Sequence, residues 1–325
     1  MRKILIVNRL GIGDVVVTTP LAKLIKDNNE DVKIGFVVAV KAADLLVNHR
    51  YIDDVFAYSK KNKQEIISDI RKKGYDEALI IDERFSSTLL AYKANCKLLN
   101  KGFEISLGAQ RLFQRKMRKV RAIEDFSTYI RLVNPELTEY EITAVLGNPD
   151  TNRKEYIEEW TMQQKQISNE LVLIVPKSAA DNKNWPTAYF NKINNFLNRK
   201  GIIPVYIGSK GDAEYIEKIE GKKTNAAGMF SLRELPALAK HAIFAISVCT
   251  GPMHIISTAE IPVIVLYGPS DPVRWAPSNA IVIQSKLPCV PCERLDCSQK
   301  QGERCMESIL PEKVEETIIE KGLIL

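Results

Sequence analysis

Two glycines and an aspartate follow the first apolar run of the chain. The run KILIVNR leads into LGIGD, which contains Gly11, Gly13 and Asp14, and a helix-like stretch comes after it. A glycine turn that opens a helix can bind phosphate through backbone N–H groups, but a carboxylate at that place disfavours an anion. Taken alone, the pattern predicts a tight turn in which Asp14 caps the helix. If a nucleotide binds in the other half of the chain, the same carboxylate is a candidate general base for a transfer reaction.

This turn differs from the dinucleotide-binding fingerprint. G-x-G-x-x-G would require glycine at position 16, where the chain has Val16, and the run GFVVAV is followed by Lys41 rather than by an acidic residue. In the fingerprint, that acidic residue holds the ribose of the cofactor. The sequence therefore argues against an oxidoreductase that binds a dinucleotide in the first half of the chain.

Loops in the second half of the chain carry residues suited to a diphosphate. Helix N-termini offer free N–H groups and a partial positive charge, and a nearby lysine adds a full charge. Four such loops follow apolar runs that read as strands of one sheet, which favours a nucleotide in this half. The loops contain Lys177, Ser178 and Lys183; Ser209, Lys210 and Asp212; Thr250, Gly251 and His254; and the segment PSDPVRW.

The elements that must position these loops repeat the same rhythm in both halves of the chain. Apolar runs such as KIGFVVAV, EALIID and LVLIVP alternate with single helix-like stretches. Strands that are apolar throughout, each followed by one helix, predict an α/β fold with doubly wound parallel sheets. The polar stretch 148–170 indicates an interdomain boundary. We therefore predict two domains, 1–160 and 161–325, and regard the final helix, about 311–325, as a candidate to pack back on the first domain.

Positive charge is concentrated in one stretch. The whole chain has a formal net charge of +6, and residues 101–121 hold seven Lys or Arg against one Glu, an excess equal to that of the entire chain. Apolar residues recur there at helical spacing, which predicts a basic amphipathic helix. It is either an ordinary surface helix or a patch for acidic lipid headgroups or a phosphorylated acceptor. Nucleic acid is disfavoured as a partner, because a pI near 8.8 falls short of the usual basic signature and no aromatic stacking platform is interleaved.

The chain lacks the marks of a secreted or membrane-spanning protein. Its N-terminus has no signal-peptide pattern, and no segment approaches the ~20 apolar residues of a membrane span. We therefore expect a cytoplasmic protein, whose six cysteines are mostly reduced.

Four of the cysteines are grouped in CVPCERLDCSQKQGERC, as Cys289, Cys292, Cys297 and Cys305. A C-x-x-C with two further cysteines is compatible with a zinc site. The paired C-x-x-C repeat of the usual zinc sites is lacking, so we favour a loop of free or occasionally paired thiols and expect no metal.

Three blocks of the sequence resemble the heptosyltransferase family, glycosyltransferase family 9. They are KILIVNRLGIGDVVVTTPLAKLIK, KSAADNKNWP and CTGPMHIISTAEIPVIVLYGPSDPVRW, in the order of the family. The resemblance implies a GT-B fold, in which two Rossmann-like doubly wound domains face each other across a cleft, the N-terminal one binding the acceptor and the C-terminal one the nucleotide-sugar donor. It further implies inverting transfer, without metal or cofactor, of heptose from ADP-heptose to the inner core of lipopolysaccharide or a related glycan.

The resemblance gives a role to Asp14 and to its surroundings. Asp14 matches the proposed catalytic base of the family, which deprotonates an acceptor hydroxyl as it attacks the anomeric carbon opposite the departing ADP. Gly11 and Gly13 would let acceptor and donor approach the backbone closely. The basic stretch lies in the same domain and would meet an anionic glycolipid or oligosaccharide acceptor, which implies peripheral contact with the cytoplasmic face of the inner membrane. Its residues proposed for this contact are Arg115, Lys116, Arg118 and Lys119.

A second set of matches falls on the donor side. Lys183 matches the phosphate-binding lysine of the family. Ser178 matches approximately the hydroxyl-bearing residue that precedes this lysine. The acidic residue that grips the ribose falls within GSKGDAE, at Asp212 or Glu214. The second loop of the family for phosphate and sugar is matched by Thr250, Gly251 and His254. For His254 an alternative stays open: it is a histidine of the helix turn that hydrogen-bonds to a nearby carbonyl group.

One position departs from the pattern of the family. The family commonly has an aspartate before T-G-P-M-H, and this chain has Cys249. That carboxylate is associated with holding the hydroxyls of the donor sugar, so its absence questions the donor more than the fold. The alternative is a nucleotide-binding GT-B protein with an altered donor or without catalysis.

Overall fold

Two compact units, Met1–Asn148 and Pro149–Leu325, make up the protein. The division lies earlier than the predicted residue 160, which falls inside a helix, Thr151–Ile167. The structure is a computed structural model, and it describes residues 1–29, 31–100, 120–137, 139–168, 170–297 and 304–324.

The first unit is built on a five-stranded parallel sheet with the order β3-β2-β1-β4-β5. Four consecutive residues of β1, from Ile4 to Val7, are fully buried, as expected for a strand covered on both faces. The continuous apolar runs of the sequence are thus confirmed as strands of a parallel sheet. The strands are β1 (Arg2–Val7), β2 (Val32–Ala39), β3 (Asp54–Tyr58), β4 (Glu77–Ile80) and β5 (Lys97–Leu98).

The helices of the first unit lie mainly between successive strands of the chain. The helix before β4 ends at Gly74, whose φ of 71° is left-handed and lets the chain turn back toward the sheet. The strand order reverses between β1 and β4, and ligands of doubly wound sheets bind beyond the carboxyl ends of strands at such a point. The helices are α1 (Ile12–Val16), α2 (Pro20–Asp27), α3 (Val40–Ala43), α4 (Lys63–Lys73), α5 (Phe85–Lys93) and α6 (Ala122–Ser127).

The second unit contains a six-stranded parallel sheet with the order β11-β10-β9-β6-β7-β8. Here the order reverses between β6 and β9, which pair along their length. The strands are β6 (Val172–Val175), β7 (Val205–Tyr206), β8 (Thr224–Asn225), β9 (Phe244–Val248), β10 (Val263–Tyr267) and β11 (Ala280–Gln284). The helices are α7 (Thr151–Ile167), α8 (Thr187–Arg199), α9 (Ala213–Glu217), α10 (Leu235–Ala239), α11 (Gly251–Ser257), α12 (Pro272–Trp275) and α13 (Pro311–Glu320).

The final helix, α13, packs within the second unit. Val314 and Ile318 are buried in the same apolar cluster as Trp185. At the surface, Lys192 of α8 pairs with Glu312 of α13 at 2.9 Å. The buried side chains of α13 therefore pack against its own unit.

The predicted basic helix falls outside the described residues. This holds for Arg115, Lys116, Arg118 and Lys119, since residues 101–119 are not described. In the parts of the chain that the structure covers, no helix is both long enough and apolar enough to cross a membrane.

Candidate functional site

The turn that carries Asp14 follows β1 and is held by buried side chains. Nδ2 of Asn8, a fully buried residue, donates to the main-chain carbonyl of Asp14 at 3.1 Å and to Oγ1 of Thr18 at 2.8 Å. The Thr18 hydroxyl donates to the same Asp14 carbonyl at 2.6 Å. Because two side chains hold this carbonyl, the backbone at Asp14 is fixed at the carboxyl end of β1.

The carboxylate of Asp14 bends back over the turn. Its Oδ2 accepts a hydrogen bond from the Gly11 N–H at 3.1 Å, which is the contact that an acidic residue at the third helical position makes in a capping box. The capping role predicted for Asp14 is therefore confirmed. Gly13 lies within α1, where its carbonyl accepts from the Val17 N–H at 3.0 Å. Asp14 is only half-buried, so a ligand can reach its carboxylate.

A buried ion pair lies beside this turn. Nε of Arg9, two residues after β1, is 3.4 Å from Oδ2 of Asp82, two residues after β4. The two side chains are 5% and 0% exposed. The Arg9 guanidinium also donates to the hydroxyls of Ser87 at 2.8 Å and Ser86 at 2.6 Å, and it stacks 4.4 Å from the centre of the Tyr58 ring. Burial of a charge is expensive unless it is paired and hydrogen-bonded, and here both conditions are met.

The Arg9–Asp82 pair joins the two strands at which the sheet order reverses. Asp82 Oδ2 also accepts from the Arg9 N–H at 3.2 Å and from the Ser87 hydroxyl at 2.6 Å. Local sequence patterns do not predict this pair, because its members lie 73 residues apart. The available signal was a charged residue directly after each of two apolar runs.

In the second unit, the loop after β6 carries the predicted lysines. The Ser178 N–H donates to Oδ1 of Asn184 at 2.7 Å, and the Ser178 hydroxyl accepts from the Ala180 N–H at 3.4 Å. These bonds fold the loop so that Lys183 ends a short 3-10 turn, Asp181–Lys183. Ser178 is thus engaged in shaping the loop itself.

The turn after β9 lies next to this lysine. Thr250 precedes α11 in extended conformation, and Gly251 begins the helix. His254 is buried, and its burial together with the Lys183 charge lowers its pKa from 6.5 to about 4. Burial raises the pKa of the Cys249 thiol, and the Lys183 charge opposes that rise. β6 and β9 pair along their length, so the Lys183 loop and the Thr250 turn leave the same edge of the sheet.

The two acidic candidates for the ribose are placed differently. Asp212 accepts from both the N–H and the hydroxyl of Ser209, at 2.8 and 2.7 Å, and its Oδ1 lies 3.4 Å from Nζ of Lys177. The Glu214 side chain is 85% exposed and pairs with Lys218 on the same helix at 2.8 Å. Asp212 is thus the candidate held at the carboxyl end of β7, while Glu214 points to solvent.

All six cysteines are free thiols, with Cys289 and Cys297 exposed and Cys305 buried. Burial, with a smaller contribution from the other three thiols of the group, raises the pKa of Cys305 to about 11. Within the described ranges, no three His, Cys, Asp or Glu side chains are arranged to hold a metal ion.

Comparison with known proteins gives one family. Residues 64–302, more than half of the chain, match the sequence model described as "Glycosyltransferase family 9 (heptosyltransferase)". The chain is 24% identical over 299 residues to lipopolysaccharide heptosyltransferase 3 of Escherichia coli strain K12, and the match covers 84% of each chain.

Solved structures show the same fold. The glycosyl transferase family 9 protein of Veillonella parvula has a TM-score of 0.80 at 18% identity and covers 98% of this chain and 96% of its own. E. coli heptosyltransferase WaaC with ADP-2-deoxy-2-fluoro heptose has a TM-score of 0.71 at 17% identity, with 98% and 100% covered. The iron-containing glycosyltransferase TibC of enterotoxigenic E. coli has a TM-score of 0.61 at 16% identity, with 98% and 75% covered. These likenesses confirm the predicted GT-B fold with two Rossmann-like units.

Proposed function

The chain belongs to glycosyltransferase family 9, the heptosyltransferase family, and on that premise we propose that it moves heptose from ADP-heptose to a lipopolysaccharide-type or related glycan. The transfer inverts the anomeric carbon and needs neither metal nor cofactor. The acceptor binds to the first unit and the donor to the second. A relative that is a lipopolysaccharide heptosyltransferase and a fold neighbour bound to an ADP-heptose analogue support this choice of acceptor and donor.

The position of Lys183 is the main support for a donor site in the second unit. β6 and β9 are paired neighbours, so the Lys183 loop and the Thr250 turn leave the same edge of the sheet at its reversal, and the Lys183 charge acts to lower the pKa of both His254 and Cys249. A diphosphate needs a full positive charge and free N–H groups, which are the groups that this arrangement offers. Gly251, the first residue of α11, lets a ligand approach the backbone there.

The second unit also offers partners for the rest of the donor. Asp212 is the better candidate for the ribose hydroxyls, since it lies at the carboxyl end of β7. Its carboxylate already accepts from Ser209 and pairs with Lys177, so its orientation is fixed. His254, which is neutral at pH 7 because its pKa is about 4, can then act as a hydrogen-bonding group without adding charge.

Asp14 acts as the general base of the transfer. The carboxylate takes the proton of an acceptor hydroxyl, and the hydroxyl oxygen forms a bond to the anomeric carbon of the donor. The bond from that carbon to the β-phosphate oxygen breaks, and ADP leaves with the electron pair. Attack opposite the leaving group inverts the configuration. Lys183 and the backbone N–H groups near Thr250 stabilise the charge on the leaving phosphate.

A second candidate function rests on Cys249. This buried thiol stands where the family resemblance implies an aspartate that holds the donor sugar. A nucleotide-binding protein with an altered donor, or without catalysis, is therefore the alternative. It predicts ADP binding without consumption of ADP-heptose.

We also propose a place of action. An acceptor that is an anionic glycolipid would be met on the cytoplasmic face of the inner membrane, with the protein bound peripherally through the basic stretch 101–121. Positive charge along such a stretch attracts acidic headgroups.

A screen of nucleotide sugars tests the proposal. Ligands that bind only the native state raise the melting temperature, so ADP-heptose should protect the protein more than UDP- or GDP-sugars do. Lys183→Met should lose this protection, whereas Lys200→Met, an exposed lysine at the end of α8, should keep it. Equal protection by all nucleotides, or none by ADP-heptose, would contradict the proposed donor, and protection without transfer would favour the second candidate.

A further inference from the structure

The loop after β11 places a glutamate against the turn that follows β10. The Glu293 N–H donates to the carbonyl of Pro269 at 2.8 Å, and Oε1 of Glu293 accepts from the Asp271 N–H at 2.5 Å. Pro269 and Asp271 lie between β10 and α12, at the carboxyl edge of the sheet. Both the backbone and the side chain of Glu293 are therefore fixed at this edge.

The next residue fixes the same loop to the lysine loop. The carbonyl of Arg294 accepts from Nδ2 of Asn182 at 2.9 Å, and Asn182 directly precedes Lys183. Two consecutive residues of one loop thus join the turn after β10 to the loop after β6. These two segments flank the turn after β9, because β9 lies between β6 and β10 in the sheet.

The backbone of Glu293 is unusual for its residue type. Its φ of 53° lies in the left-handed region, which glycine or asparagine adopts more readily than glutamate. Residues held in such conformations are found mainly where surrounding contacts and function require them. Here the conformation lets one residue bond Pro269 through its N–H and Asp271 through its carboxylate.

The negative charge of Glu293 is felt at the candidate donor site. Burial is the main cause that raises the pKa of the Cys249 thiol and of the Tyr267 hydroxyl, and the charge of Glu293 adds to both rises. Cys249 is a weak hydrogen-bonding partner, so the turn after β9 has no strong acceptor of its own at that position. Glu293 brings a carboxylate to the same place from another part of the chain.

We propose that Glu293 binds hydroxyl groups of the donor sugar and thereby sets the sugar preference of the enzyme. The inference rests on the proposed function, and it deepens the donor site. A carboxylate accepts strong hydrogen bonds from hydroxyls and repels phosphate, so Glu293 serves the sugar end of the donor while Lys183 serves the diphosphate. Glu293 is half-buried, so part of the residue faces solvent.

Calorimetry with two ligands tests this role. Glu293→Gln keeps an oxygen that accepts from the Asp271 N–H, so the loop and the melting temperature should be retained. The dissociation constant for ADP-heptose should rise about 10- to 100-fold, the range for loss of a charged hydrogen-bond acceptor, while that for ADP should stay within about twofold. Glu260→Gln is the matched control, since Glu260 also has left-handed φ, 62°, but precedes β10 at the opposite edge of the sheet.

The two ligands distinguish a wrong donor from a wrong role of Glu293. If wild-type protein binds ADP but gains no affinity from the heptose, the proposed donor is wrong, and the wild type alone reveals it. If wild-type protein gains affinity from the heptose and Glu293→Gln binds ADP-heptose equally well, only the role of Glu293 is overturned. A variant that loses ADP and ADP-heptose affinity by the same factor would likewise overturn it, because the effect would then not concern the sugar.

Discussion

Gly11 and Asp14 are in direct contact across the turn after β1. The Gly11 N–H lies 3.1 Å from Oδ2 of Asp14, and a Cβ on residue 11 would lie 3.0 Å from the same oxygen. The backbone of Gly11, with φ −72° and ψ 170°, is open to any residue. A side chain at residue 11 would therefore press on the Asp14 carboxylate, although the backbone conformation itself would accept it.

Gly11→Ala should displace the Asp14 carboxylate without disturbing the fold. The added methyl group forces the oxygen to move by a few tenths of an ångström, which misplaces a base that must meet the acceptor hydroxyl. We expect initial rates of transfer to fall about 10- to 100-fold, with ADP affinity unchanged because the proposed ADP site lies in the second unit. An unchanged rate would show that the carboxylate position is not critical.

Asp14→Asn should separate chemistry from structure. The asparagine oxygen can still accept from Gly11 N–H, so the turn and the unfolding free energy should be retained. Loss of the proton acceptor should lower kcat about 10²- to 10⁴-fold, with ADP-heptose affinity nearly unchanged. Single-turnover rates and calorimetry on the same preparation measure the two effects, and a variant with wild-type kcat would remove Asp14 from the chemistry.

Asp82→Asn should destabilise the first unit. It leaves the Arg9 guanidinium buried without its counter-charge, and breaking a buried pair in this way costs about 3–5 kcal/mol. Urea unfolding measures the loss, and Asp27→Asn, which breaks an exposed pair with Lys23, should cost under about 1 kcal/mol. Equal effects of the two changes would contradict a structural role for the buried pair. The double variant Arg9→Met, Asp82→Leu should be less destabilised than the sum of its single changes.

The contrast between Asp14 and Arg9 shows which contacts can be predicted from the sequence. Asp14, Gly11 and the strand before them are adjacent in the chain, so apolar periodicity and turn chemistry predict their arrangement. Arg9 and Asp82 meet only after two strands pair, and local patterns carry no information on such a contact. Glu293 is found only in the structure for the same reason, since its partners follow other strands.

The predicted domain boundary differs from the observed one for another reason. Helix α7 buries few side chains, among them Ile157 and Trp160, so its sequence has the polar composition of a linker. Composition alone therefore placed the boundary at residue 160, within α7, whereas packing of those two buried residues assigns the helix to the second unit. The roles of the two units in binding acceptor and donor stay predictions.

His254 should make the stability of the protein depend on pH. Its pKa is about 4 in the native state and about 6.5 in the unfolded chain. Between these values the unfolded chain binds a proton that the native state does not, so the unfolding free energy falls as pH is lowered from 6.5 to 4, by about 3 kcal/mol at full effect. His254→Gln should flatten this slope in urea titrations at pH 7 and pH 4.5. His241→Gln, at a less buried ring whose pKa is also lowered, should flatten it less, and a slope indifferent to His254→Gln would contradict the assignment.

The basic stretch 101–121 should govern binding to anionic membranes. Replacing four of its charges by glutamine removes about 1 kcal/mol of attraction per residue near an acidic surface, so affinity for vesicles that contain acidic lipid should fall at least about 100-fold at low salt. The charges to replace are Arg115, Lys116, Arg118 and Lys119. A second variant should lose the same net charge from lysines of the second unit, at Lys200, Lys222, Lys223 and Lys321. Vesicle sedimentation of both variants decides the matter: a selective loss in the first supports a membrane-facing stretch, whereas equal losses would show that net charge alone attracts the protein and would return the stretch to an ordinary surface helix.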